Sequence, residues 1–153
     1  MNFEIKNLDK IMAKANKMAV NVDNTVKDSL NKSMATVQGD IKALVPVNTG
    51  ELRNSIQLKI AEEKDGVITS TVGTNVYYAP YIEYGTGKVG EATNTQKGTN
   101  YRQTPWIYCD EDGTFHYTEG QAAQPFMYPG FNQNKGLIKQ NLKSDIRKLI
   151  NGR

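Results

Sequence analysis

The stretch Tyr77–Gly90, which reads YYAPYIEYGTGKVG, decides how the rest of this chain is interpreted. Its second half spells G-x-G-x-x-G with Lys88 inside, the pattern of a phosphate-binding loop. Such a loop needs a helix that opens on the glycines, so that backbone amides face the phosphate. Residues 91–98, EATNTQKG, lack the apolar period of such a helix, and no Ser or Thr follows Lys88. We therefore expect no nucleotide site here.

The first half of the same stretch is aromatic and predicts a short helix. Tyr77, Tyr81 and Tyr84 are spaced to share one face over about two turns. Pro80 suits a first helical turn, and Gly85 suits the position after the last turn.

Bulk properties bound the class of protein. With 153 residues, the chain is expected to form a single domain over residues 1–153. The net charge of +3 is spread over scattered lysines with no basic run, which gives little support to a dedicated nucleic-acid binder. Cys109 is the only cysteine, so no internal disulfide can form. Neither a transmembrane stretch nor a signal peptide is evident, and we expect a protein made in a cytoplasm and not bound to membrane.

The longest periodic segment covers residues 8–44 and predicts a helical arm. Apolar residues recur in steps of three or four along it, and Pro46 ends it. A helix of this length, roughly 50 Å, exceeds the width of a small domain and favours packing against another subunit. The candidate interface positions on this arm are Leu8, Ile11, Ala15, Ala19 and Val22.

Two β-hairpins are predicted in the β-rich core, residues 45–131. Residues 48–54 indicate a tight turn that leads into a short helix or directly into a strand. Residues 55–63 and 66–74 follow as strands, with Ile56, Leu58 and Ile60 on one face and Asp-Gly in the turn. Residues 105–109 and 114–118 predict the second hairpin.

Three further segments complete the chain. Residues 85–104 are polar and predict a mobile loop, in which Lys88 and Lys97 are candidate interface residues. Residues 124–129 indicate a stiff apolar link, and residues 134–151 a C-terminal helix. The fold class is α+β: a long N-terminal helix, a small antiparallel sheet built from hairpins, a short aromatic helix and a C-terminal helix.

Residues suited to catalysis or metal binding are few. Cys109 and His116 could be neighbours across the second hairpin, so a Cys–His nucleophile is conceivable, but no third orienting group is evident. One His and one Cys cannot close a zinc site without carboxylates. We predict no enzyme, no cofactor and no metal.

Three segments in this order resemble the tailed-bacteriophage head–tail joining proteins, also called neck, tail-completion or minor tail-component proteins. They are VPVNTGELRNSI at 45–56, YAPYIEYGT at 78–86 and QPF at 124–126. Asn48 stands where the family pattern more often has Asp. The motif residues, expected to be structural determinants and not ligand-binding groups, are Pro46, Thr49, Gly50, Leu52, Ser55, Tyr78, Glu83, Tyr84, Gly85, Thr86, Pro125 and Phe126.

The resemblance implies a virion structural protein that joins head to tail. Roughly six or twelve copies would form a ring around the DNA channel, contact other connector and tail proteins, and let DNA pass without sequence-specific binding. A tail terminator, or tail-tube-end protein, is the structural alternative. A nucleic-acid-binding module is the alternative from another class.

Overall fold

The computed structural model describes residues 8–48, 50–96, 100–110 and 112–151, with side chains described from residue 17 onward. Within these ranges the helices are α1 Leu8–Leu44, α2 Glu51–Ser55, α3 Ala79–Tyr84, α4 Gly87–Thr93, α5 Met127–Asn132 and α6 Lys135–Asn151. The strands are β1 Gln57–Lys64, β2 Val67–Gly73, β3 Trp106–Cys109, β4 Phe115–Thr118 and β5 Gly120–Gln121. In this part of the chain, no helix has the combination of length and apolarity that crossing a bilayer requires.

Helix α1 confirms the predicted long helix with the same bounds. Its 37 residues make it about 55 Å long. The C-terminal half of its apolar stripe is buried and forms one wall of the core. The remaining core residues come from the residue after α1, from α2 and the residue after it, from α3, and from the segment before α5. The core residues are Met34, Val37, Ile41, Val45, Leu52, Ile56, Ala79 and Phe126.

The first hairpin pairs β1 with β2 through the predicted Asp-Gly turn, but its register is broken by a bulge between Lys59 and Glu62. The bulge turns Ile60 outward and buries Ala61 instead, so the prediction that Ile60 shares a face with Ile56 was wrong. The cause lies on α1, where the Asn31 side chain accepts a hydrogen bond from the Ala61 N–H at 2.7 Å.

The second hairpin pairs β3 with β4 in a separate sheet, so each of the two main sheets has two strands. The predicted α+β fold class, with a long N-terminal helix, antiparallel hairpins, a short aromatic helix and a C-terminal helix, is confirmed, but the hairpins form two small sheets and not one. The short segment 48–54 resolves as helix α2, the first of its two predicted alternatives.

Two further short helices depart from the predicted layout. Residues 87–93 form α4, so the prediction of a loop throughout 85–104, and of no helix after the glycines, was wrong there. Residues 127–132 form α5, where a stiff link was expected. Both helices are held by contacts from distant parts of the chain, which a local pattern does not reveal.

Helix α6 runs antiparallel to α1. At its start, the Asn134 side-chain amide donates to Asp40 Oδ2 at 2.7 Å, and two turns earlier on α1 the Ser33 hydroxyl accepts from the Asn141 side-chain amide at 3.2 Å. Gly130 sits against Ile41, because an added Cβ would lie 2.6 Å from the Ile41 side chain. These contacts place the C-terminal region along the second half of α1.

Candidate functional site

The centre of the motif cluster is Glu83, whose side chain lies under the start of α5. Glu83 is only 4% exposed. Its carboxylate accepts hydrogen bonds from the backbone N–H groups of Phe126 at 2.7 Å, Met127 at 2.8 Å and Tyr128 at 3.0 Å. The Gln96 side-chain amide donates a fourth at 3.0 Å. An ionised carboxylate at a helix N-terminus satisfies N–H groups that the helix itself leaves unpaired.

Short helix α3 positions Glu83. Pro80 lies in its first turn, and Gly85, with φ +72°, ends it. The Ile82 carbonyl, next to Glu83, accepts a hydrogen bond from the Gln124 N–H at 2.8 Å. This contact brings the segment 124–126 back onto α3, and Phe126 then enters the core with no exposed surface. The second and third family segments are therefore joined directly, backbone to backbone and through the Glu83 carboxylate.

The glycines after Glu83 serve close backbone packing. Thr86 and Gly87 form antiparallel bridges with Gln121 and Gly120 of β5. A Cβ on Gly87 would collide with the Glu119 carbonyl. The backbone of Glu119 and Gly120 thus occupies the position that a Cβ on Gly87 would take, so close packing of the chain against itself accounts for a glycine there.

Side chains around this crossing complete the joint. The Thr86 hydroxyl accepts a hydrogen bond from the Gln121 N–H at 3.0 Å. The Tyr101 hydroxyl donates to the Tyr84 carbonyl at 2.8 Å, so Tyr101, which precedes β3, is held against the end of α3. Tyr84 itself is half-buried, whereas Tyr77 and Tyr81 are exposed, so the three tyrosines do not share one buried face.

The first family segment lies on the neighbouring side of α3. Gly50 has a left-handed φ of +82° and begins α2, and Leu52 enters the core. The Ser55 hydroxyl lies 2.6 Å from the Thr74 hydroxyl at the end of the first hairpin. Pro46 is half-buried and Pro125 is exposed, while Thr49 lies outside the described residues.

Tyr78 links this segment to α3. Its hydroxyl donates to Glu51 Oε2 at 2.9 Å. Partial burial raises the pKa of Tyr78 above its ordinary value, and the Glu51 carboxylate that it touches adds to the rise. The phenol is therefore kept protonated, as a hydrogen-bond donor.

The Cys–His candidate is not assembled. Cys109 pairs in register with Phe115, and His116 pairs with Tyr108, on which its ring is stacked. His116 Nε2 instead lies 2.7 Å from Asp110 Oδ2. That hydrogen bond is the main cause that lowers the pKa of the Asp110 carboxyl below its usual range.

These placements limit the chemistry of the motif cluster. Each oxygen of the Glu83 carboxylate is already engaged by two donors, which leaves it poorly placed to act as a base or a metal ligand. Among the described residues, no group of three or more His, Cys, Asp or Glu could hold a metal ion. The cluster acts as a joint that fixes the relative positions of α2, α3, β5 and α5.

The outer surface, in contrast, presents large apolar side chains. One face of the second hairpin carries Ile107, Phe115 and Tyr117, which are 65%, 75% and 69% exposed. Ile107 and Tyr117 are cross-strand partners, and Cys109 is the partner of Phe115 on the same face. We call this set, Ile107, Cys109, Phe115 and Tyr117, the hairpin face. A contiguous exposed apolar surface of this kind usually marks an interaction site.

The predicted interface residues divide between the arm and the polar segment. On α1, Ala19 is exposed and Val22 half-buried, and the positions Leu8, Ile11 and Ala15 belong to the helix but their side chains are not described. Lys88 is exposed on α4, whereas Lys97 lies outside the described residues.

Four residues that complete the joint were missed from the sequence: Gln96, Tyr101, Gly120 and Gln121. Only Gly120 carried a signal, since a glycine between two polar residues after a strand often marks a close backbone approach. The others act through side-chain contacts between residues 13 to 40 positions apart.

Comparison with known proteins identifies one family. The family model described as "Bacteriophage HK97-gp10, putative tail-component" matches residues 9–85, which is half of the chain and includes the first motif segment and all but the last residue of the second. No curated protein and no solved structure matches the chain.

Proposed function

Because the chain belongs to the Bacteriophage HK97-gp10 tail-component family, we propose that it is a structural protein of the head–tail connection. In this proposal it completes the neck of the virion, acts by shape, and carries out no covalent chemistry. Several copies assemble around the DNA channel after synthesis in the bacterial host, and they contact neighbouring connector and tail proteins.

The observation that carries this proposal is that the motif residues make their contacts within the chain and not with a ligand-sized cavity. Glu83, Gly85 and Phe126 are each engaged by contacts within the chain. A motif that bound substrate would instead leave polar groups converging on a cavity. The family pattern therefore supports a fixed shape, and recognition falls to the surfaces outside it.

Two of those surfaces suit contacts with other virion subunits. The hairpin face is apolar and uncovered among the described residues, and an isolated two-stranded hairpin is only marginally stable in water without packing. The first half of α1 carries exposed Met18 and Val20. The two surfaces belong to different elements of one chain, an arrangement compatible with head-to-tail contacts that close into a ring.

Deletion of the gene from the phage tests the proposed station. Electron microscopy of the resulting lysate is expected to show DNA-filled heads and separate tails of normal length. Abnormally long tails would assign the protein to tail termination instead. Normal infectious particles would contradict a role in joining.

Complementation of the deletion tests the hairpin face. The variant Ile107→Ser/Phe115→Ser/Tyr117→Ser is expected to fold, because these side chains are exposed, yet to fail to restore joined particles. A matched control removes two exposed apolar side chains of the first hairpin, Ile60→Ser/Val67→Ser, and is expected to complement. Equal complementation by both variants would show that the hairpin face is not a contact surface.

A further inference from the structure

The exposed side of α6 carries a concentrated positive charge. The helix has five basic residues against one acidic residue, a net +4, which exceeds the +3 of the entire chain. Four of them share the side turned away from α1, and we call this set, Lys139, Lys143, Arg147 and Lys148, the basic face. The expectation of merely scattered lysines was therefore wrong for this helix.

The spacing of these residues explains how the face forms. Lys139, Lys143 and Arg147 follow one another at intervals of four, so they lie in a row with about 6 Å between successive positions. Leu142 and Ile146, which fall between them in sequence, are partly buried, and Ile138, one residue before the row, packs against the core. The row thus follows from the same amphipathic period that packs the helix.

Little within the described residues neutralises the row. The only carboxylate of α6, Asp145, is on the side near α1, and it lies 3.4 Å from the Lys148 ammonium. None of the ion pairs among the described residues includes Lys139, Lys143 or Arg147. Like charges four residues apart on a helix repel each other and destabilise it. A polyanion bound along the face would remove that repulsion.

The side chains between the cations indicate which polyanion fits. The residues that share this outer surface of α6 with the basic face are Gly136, Gln140, Ser144 and Asn151. Interfaces between proteins are depleted in lysine and serine and depend on buried aromatic or apolar anchors. Contacts to nucleic-acid phosphates, in contrast, are made by Lys and Arg assisted by Ser, Asn and Gln.

We propose that the basic face of α6 binds the phosphate backbone of double-stranded DNA without reading its sequence. From Lys139 to Lys148 the helix rises about 14 Å, and that length of duplex presents roughly eight phosphates. Along this length the duplex therefore offers more phosphates than the four cations can contact. The choice of DNA rests on the proposed place of the protein around the DNA channel.

A salt titration of DNA binding tests this inference on the purified full-length protein. Fluorescence anisotropy is measured with two labelled duplexes of unrelated sequence. With four phosphate contacts, log K should fall against log salt with a slope of about −3.6, so affinity drops about 150-fold between roughly 50 and 200 mM salt. Both duplexes should give the same curve.

The variant Lys139→Gln/Lys143→Gln/Arg147→Gln should bring the slope to about −0.9, so that affinity drops only about 3.5-fold over the same salt range. Glutamine is a good helix former, so α6 should persist, and a circular-dichroism melt checks this. The control Lys17→Gln/Arg53→Gln/Lys64→Gln removes the same charge from three exposed basic residues elsewhere. It should keep the slope of the unaltered protein.

Three results would overturn the inference. They are no duplex binding at about 50 mM salt, an equal loss of slope in both variants, and tighter binding of polyglutamate than of duplex at equal charge concentration. The last would assign the face to an acidic protein. These results are separable from failure of the proposed function, which is read from heads and tails in the deletion lysate.

Discussion

Removal of the Glu83 carboxylate should be among the most damaging single changes in this chain. In Glu83→Ala the N–H groups of Phe126, Met127 and Tyr128 lose their acceptor. Hydrogen bonds to a charged group contribute about 1.5–3 kcal/mol each, and a buried donor left unpaired costs about 1–3 kcal/mol. The three bonds share one carboxylate and water can enter the vacated space, so the effects do not add fully. We expect a loss of about 3–5 kcal/mol in the free energy of unfolding.

Thermal and urea unfolding followed by circular dichroism measure this loss. For a domain of this size, about 3–5 kcal/mol corresponds to a fall in Tm of roughly 6–20 °C. Glu83→Gln should be intermediate, because its single carbonyl oxygen can keep two of the donors while its NH₂ group faces the remaining ones. The matched control is Glu91→Ala, in the neighbouring short helix, where an exposed carboxylate accepts from Gln103 at 2.8 Å. Its cost should stay within about 0.5 kcal/mol.

The order Glu83→Ala, then Glu83→Gln, then Glu91→Ala is the core of the prediction. If the free energies of unfolding of Glu83→Ala and Glu91→Ala differ by less than about 1 kcal/mol, the Glu83 carboxylate does not hold α5. The prediction that the motif residues are structural determinants would then be wrong.

Three further changes test other parts of the joint. Gly85→Ala should destabilise the protein by at least about 1–3 kcal/mol, because φ is +72° and the added Cβ would lie 2.6 Å from the Gln121 carbonyl oxygen. Gly39→Ala, in open space on α1, should instead stabilise it by about 1 kcal/mol. Urea midpoints compare the two variants, and equal effects would contradict the close packing at Gly85. Phe126→Ala should cost about 3–5 kcal/mol by the same measurement, and a cost near zero would show that the core is not closed there. Because the pKa of Asp110 is lowered in the folded protein, its ionised carboxylate stabilises the fold above the ordinary value of 3.8, and this contribution is lost as the pH falls through the lowered pKa. Asp110→Asn should therefore make the free energy of unfolding less dependent on pH below about pH 4. An unchanged pH dependence in that range would refute the contribution.

The long elements could be predicted from the sequence because their signals are local. An apolar residue every three or four positions fixed α1 at residues 8–44, and an Asp-Gly turn fixed the first hairpin. The motif order also predicted the family that the comparison with known proteins identified. Each of these signals is carried by residues close together in the sequence, so tertiary contacts did not change the predicted elements.

The short elements could not be predicted because distant residues hold them. Helix α5 begins where the Glu83 carboxylate, more than 40 positions earlier in the chain, accepts hydrogen bonds from the backbone N–H groups of Phe126 and Met127. The bulge that turns Ile60 outward depends on Asn31, 30 positions earlier. The basic face is a different case: the spacing of Lys139, Lys143 and Arg147 was readable, but its meaning required the knowledge that this side of α6 faces away from α1.

The central claim, that this chain is a structural part of the phage neck, is tested most directly by locating it in finished particles. Antibody-gold labelling of purified virions, with quantitative mass spectrometry of the same preparation, should place the label at the junction of head and tail and find several copies per particle. Absence of the protein from infectious particles, or label confined to sites away from that junction, would contradict the account.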